Sequence, residues 1–71
     1  MKTEAKLVRW LDATAGNWWL ILTTGDKVVS PIREFGRSSA EHRRGLRARA
    51  RAHAMLSNGT PFDEVLNASY D

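Results

Sequence analysis

Apolar residues follow one period in the first half of the chain and another in the second. Residues 18–24, WWLILTT, are a continuous run rich in aromatic and β-branched side chains and predict a strand. Gly25-Asp26 follows, and a Gly-X pair suits a two-residue type II′ hairpin. Residues 27–35, KVVSPIREF, then return as a second strand, with Pro31 marking a side that lacks a neighbour. If Thr24 faces Lys27, Leu22 meets Val29 and Leu20 meets Pro31 on one face. Trp19, Ile21, Val28 and Ile32 then fall on the other. Residues 5–12, AKLVRWLD, suit either a strand covered on both faces or a short amphipathic helix. The turn-like DATAGN that follows favours the strand.

Beyond residue 37 the signals are helical. Ser38-Ser39-Ala40-Glu41 reads as a capping box, in which Ser38 meets the first-turn amides and Glu41 reaches back. Asn58-Gly59 supplies the left-handed residue that ends helices. These signals bracket a helix over 39–57, so the alternating RARARAHA of residues 47–54 is helical rather than extended. At ~100° per residue, Gly45, Ala48, Ala52, Met55 and Leu56 share one side. Arg43, Arg47 and Arg51 run along the opposite side with Arg44 beside them. Leu46, Ala50, His42 and His53 border the apolar arc. The small residues 45, 48 and 52 let the backbone approach a sheet closely enough to admit a tryptophan. Arg49 falls towards the buried flank, from which it either snorkels outward or meets an acid such as Asp63 or Glu64. Thr60-Pro61 signals a second start, with Thr60 as cap and Pro61 at the first position. A short helix over 61–67 should dock Phe62, Val65 and Leu66.

The fold class expected is α+β, in one small domain spanning residues 1–71. A small antiparallel sheet, either a three-stranded meander or a hairpin with an N-terminal helix, packs against one long C-terminal helix, followed by a short helix. One long helix covers only one face of the hairpin. An apolar face bearing Trp18, Trp19, Ile21, Val28 and Ile32 is therefore either covered by the N-terminal segment and the chain's tail or is a candidate dimer or partner interface. Size points the same way. Nine of the apolar residues in this 71-residue chain are alanine, and no cysteine is present to staple or bind zinc. Self-association, as a homodimer, is expected to help. No run approaches the ~20 apolar residues of a membrane span, and no apolar signal segment follows Met1. A cytoplasmic protein of a bacterium, or of a phage acting in its host, is the expectation.

Charge sharpens the picture. The net charge is only +3, yet residues 37–54 hold six arginines against one acid, Glu41, while the remainder is net negative. A solvated helix face normally mixes both signs. The candidate binding set is Arg37, Arg43, Arg44, Arg47 and Arg51, whose guanidinium forks match phosphate geometry. Catalytic chemistry is scarce. The two histidines lie eleven residues apart, Ser38 and Ser39 serve as caps, and no glycine-rich phosphate loop exists. No enzyme, cofactor, metal or small-molecule substrate is expected.

The order of elements in GNWWLILTTGDKVVSPIREFGRSSAE resembles the three-stranded sheet plus helix of phage integrase arm-binding and AP2-type domains. That resemblance implies DNA reading by sheet-borne arginine and tryptophan, and the sheet-borne basic residues offered for it here, Arg9, Lys27 and Arg33, are thin. The residues themselves favour a nucleic-acid-binding, DNA-type role for the helix arginines. The rival is a small regulator or inhibitor of mobile-element type, meeting an acidic protein surface through the same arginines and the tryptophan-bearing sheet face.

Overall fold

A computed structural model describes residues 2–9 and 17–70. Strands β1 (Thr3–Arg9), β2 (Trp18–Thr24) and β3 (Lys27–Phe35) are followed by helices α1 (Ser39–Ser57) and α2 (Phe62–Asn67). The sheet is an antiparallel meander in the order β1-β2-β3, so the α+β architecture expected from the sequence is the one observed. The segment from residue 5 settles as strand. Of the expected 5–12 span, Trp10, Leu11 and the first five residues of DATAGN lie outside the described residues.

The β2–β3 turn has a left-handed Gly25 (φ 60°) and no positive φ at Asp26, the type II′ pattern. Beyond it, the simple register does not hold. Thr24 faces Lys27 as expected, but Leu22 faces Ser30 rather than Val29, and Leu20 faces Arg33 rather than Pro31. Two irregularities absorb one extra residue each, on either side of Pro31, which has no N–H to give to a ladder. Together they slide β3 by two residues and bring Phe35 opposite Trp18, where it is 1% exposed beneath α1. They also turn Ile32 towards the helix side, where it packs on the core.

The core comprises Ala5, Leu20, Leu22 and Phe35 from the sheet, Ala48 and Ala52 from α1, and Val65 and Tyr70 from the C-terminal part. Close approach of α1 to the sheet is real, and at Gly45 the space is taken by Leu7 and Phe35. A methyl added at Gly45 would lie 3.1 Å from both Leu7 methyls and 3.4 Å from the Phe35 ring.

Helix α1 spans the predicted residues. Ser38 Oγ accepts from the Glu41 N–H at 3.2 Å, while Glu41 reaches past the cap to accept from the Gly36 N–H at 3.3 Å. At the other end, Gly59 (φ 75°) donates to Leu56 C=O and Thr60 to Met55 C=O, which is a Schellman closure. Thr60 does not cap α2. Pro61 takes the N-cap position, and no side chain caps this helix. Val65 is fully buried and Leu66 half-buried, but Phe62 does not dock and stays 39% exposed.

Candidate nucleic-acid interface

The helix arginines divide by what surrounds them. Arg37, Arg43, Arg47, Arg49 and Arg51 are exposed, and Arg44 is half-buried. Among the described residues, none of those five exposed arginines has a carboxylate within salt-bridge distance. Arg44 differs. It is paired with Glu41 one turn earlier, and its guanidinium carbon sits 5.9 Å from the centre of the Phe35 ring. Arg44's hydrogen bond, followed by the Gly36 N–H, holds the Glu41 carboxyl below its ordinary value.

Arg44, Arg47 and Arg51 line an open cleft of about 320 Å³ together with Ala48 and Tyr70. This placement revises the helix layout expected from the sequence. Ala48 is the middle of the buried side, so arginines that share a cleft with it flank that side rather than oppose it. On the helix circle, Arg44 and Arg51 lie only ~40–60° from Ala48. Arg43 continues the same run further round, outside the cleft lining. Arg49 occupies the other flank and is exposed, meeting neither Asp63 nor Glu64.

Tyr70 forms one wall of the cleft. Its ring is 7% exposed, and its hydroxyl donates to the Val65 carbonyl, one of the α2 C-terminal acceptors that the helix itself leaves unpaired. Burial pushes the Tyr70 phenol above its ordinary value, with the nearby Arg51 charge pulling the other way. Nothing in the helix sequence signalled this wall, because it arrives from beyond α2.

The candidate sheet interface is split. Trp18 lies on the helix side, stacked on the His42 ring at 4.4 Å, and Ile32 is on that side too. Trp19, Ile21 and Val28 are on the side away from α1, but Ile21 is only 3% exposed and so offers no interface surface, whereas Val28 is 51% exposed. The sheet-borne cations do not gather there either. Arg9 lies over Trp18 at 5.7 Å and Arg33 over Phe35 at 5.3 Å, both helix-side rings. Among the described residues, the outer face of the sheet therefore presents Lys6 as its basic residue alongside Glu4 and Glu34, a poor surface for phosphate.

Among the described residues no helix is long and apolar enough to cross a membrane. Comparison with protein-family models, curated proteins and solved structures finds no match for this chain. The likeness in element order to integrase arm-binding and AP2-type domains thus carries no argument about what the chain binds.

Proposed function

We propose that this chain is a non-enzymatic nucleic-acid-binding protein that grips the phosphate backbone with one flank of α1. Arg43, Arg47 and Arg51 make the principal contacts, Arg44 is held ready by Glu41, and Arg37 extends the track. One observation carries the reading: Arg47 and Arg51, which meet no carboxylate among the described residues, line an open cleft together with the Glu41-paired Arg44. Charges left unneutralised along a helix at ~6 Å steps suit a polyanion better than a single small anion. Duplex DNA is the ligand favoured, and a bacterial or phage-infected cytoplasm is the setting that goes with it.

The test is a titration of labelled duplex and single-stranded nucleic acid at several salt concentrations, with R43A/R47A/R51A beside the parent chain. For a duplex, each phosphate contact contributes about 0.9 to the slope of log affinity against log salt. The triple variant should therefore lose about 2.7 units of slope. Absence of binding at low salt, or an unchanged slope in the variant, refutes the proposal.

A second reading, docking to an acidic protein, draws support from one feature. Val28 and Val29 are 51% and 45% exposed beside the hairpin tip, where they line an open hollow with Thr24, Asp26 and Lys27. Exposed valines are contact surface for a protein and of no use to a phosphate backbone.

A further inference from the structure

The two edges of the sheet are treated differently. Strand β3 is blunted by Pro31 and by two irregularities in seven pairings, devices that keep an edge from recruiting another strand. Strand β1 carries none of them. Its seven residues pair one-to-one with β2 without a bulge, and it contains neither proline nor glycine. Among the described residues no strand pairs with its outer side. One face of β1 is anchored, with Ala5 2% exposed in the core and Leu7 packed against it. The edge is thus a stiff, regular row of backbone donors and acceptors that no described strand uses.

The other face of β1 carries Glu4 and Lys6, two residues apart, and among the described residues neither has an ion-pair partner. Antiparallel pairing of β1 with a second copy of itself has few registers that keep both α1 helices on the same side of the sheet. Centring the two-fold axis on Glu4 sets Glu4 against Glu4. Centring it on Lys6 sets Lys6 against Lys6. Centring it on Ala5 sets Glu4 against the partner's Lys6 and Lys6 against the partner's Glu4, each pair on adjacent strands ~5 Å apart. That arrangement also places the small Ala5 at the axis, and Thr3 opposite the partner's Leu7.

We propose that two copies of this chain associate through their β1 strands, with the axis at Ala5, to form a continuous six-stranded antiparallel sheet. The interface is isologous and self-complementary in charge, as a two-fold dimer requires. It covers the unprotected edge and leaves the arginine flank of α1 free, because that flank faces Phe35 and Tyr70 rather than β1. The proposal does not depend on nucleic-acid binding.

Light scattering and sedimentation of the full chain, from micromolar to about 1 mM, test it with three variants. Lys6→Glu and Glu4→Lys each create two like-charge cross-strand pairs and should weaken the dimer about tenfold or more. The doubly swapped E4K/K6E chain restores opposite charges and should return to within about threefold of the parent. Both positions lie off the helix-covered face, and circular dichroism checks that each variant folds. A chain that is monomeric throughout the range overturns the proposal, as does a dimer indifferent to the single swaps or not rescued by the double swap. Register is tested by oxidation, since the chain has no cysteine of its own. A mixture of E4C and K6C chains should form a mixed disulfide, whereas K6C alone should not. Self-linking of K6C would place the axis at residue 6 and overturn the assignment.

Discussion

Gly45 sits where two opposing effects can be weighed. Replacing it with alanine adds helix propensity worth about 0.8–1 kcal/mol, because glycine is costly in a helix interior. The new methyl, however, would stand 3.1 Å from both Leu7 Cδ atoms and 3.4 Å from Phe35 Cδ2. Carbon atoms prefer ~3.5–4.0 Å, so Leu7 must retreat by roughly half an ångström. Rotating its two methyls brings no relief, since both are equally close. The side chain must leave its well at ~0.5–1.5 kcal/mol, or β1 must shift, and overpacking of this kind costs about 1–3 kcal/mol. Phe35, 1% exposed, blocks the alternative direction. The expected balance is a loss of about 1 kcal/mol, which moves a urea midpoint by roughly 1 M in a domain of this size. A double-mutant cycle isolates the cause. In a Leu7→Ala background the contact is gone, so Gly45→Ala should stabilise by about 0.8 kcal/mol, a coupling of close to 2 kcal/mol. Urea unfolding followed by far-ultraviolet circular dichroism measures all four corners. Equal effects of Gly45→Ala in both backgrounds would refute the reasoning, as would full stabilisation in the parent chain.

Thr23 is 5% exposed and its hydroxyl is enclosed without a hydrogen-bond partner. Thr23→Val should therefore stabilise by about 1 kcal/mol, read by calorimetry as a rise in Tm of roughly 4–8 °C. Tyr70→Phe removes the donor to the Val65 carbonyl and should cost about 1–2 kcal/mol in chemical denaturation. Because burial raises the Tyr70 phenol above its ordinary value of 10.0, the folded chain holds that proton more tightly than the unfolded one. Its contribution is complete below pH 10.0 and is lost as pH rises through the folded value, so Y70F should show a shallower alkaline decline in stability across pH 9–12. Glu41 behaves in the opposite sense. Its carboxyl is held below the ordinary 4.5, so its contribution is present above that pH and lost as pH falls through the folded value. E41Q should flatten the acid limb of an unfolding-versus-pH curve, and an acid limb identical to that of the parent would contradict the assigned hydrogen bonds.

What the sequence disclosed, it disclosed through local chemistry. Ser38 and Gly59 mark the ends of α1 because caps act over three or four residues, and Gly25 marks the hairpin for the same reason. Small residues at 45, 48 and 52 announced close helix–sheet contact because that pattern depends only on helical period. The misreadings arise where a non-local partner decides. The β3 register slips because accommodating Pro31 takes two extra residues and lets Phe35 reach the core, a gain visible only once α1 lies over it. Thr60 has the side chain of a cap, but the chain enters α2 one residue later, so the N-cap position falls on Pro61, which has no side-chain acceptor. Phe62 stays exposed although it is larger than Val65, because α2 is a single short element whose docking face is set by Val65 and Leu66. In the candidate interface, the arginine types and positions were legible. Their division into Arg44, laid over Phe35, and the exposed Arg43, Arg47 and Arg51 was not, since the Phe35 and Tyr70 rings arrive from elsewhere in the chain.

That division separates stability from binding along one helix. Glu41, the only acid between Arg37 and Ala54, is used within one turn of the cap, on Arg44 and on the Gly36 N–H. Arg44 in turn lies over Phe35 and so belongs as much to the core as to the surface. Among the described residues, the positive charge of Arg43, Arg47 and Arg51 is left without local neutralisation, and it opposes folding through self-repulsion rather than assisting it. Met55, Ala52 and Ala48 would hold α1 on the sheet equally well with mixed charges on its flank. An all-arginine flank contributes nothing that the fold requires, which is why its explanation is sought in a ligand. The polyanion proposed for it would supply the countercharge that the chain withholds.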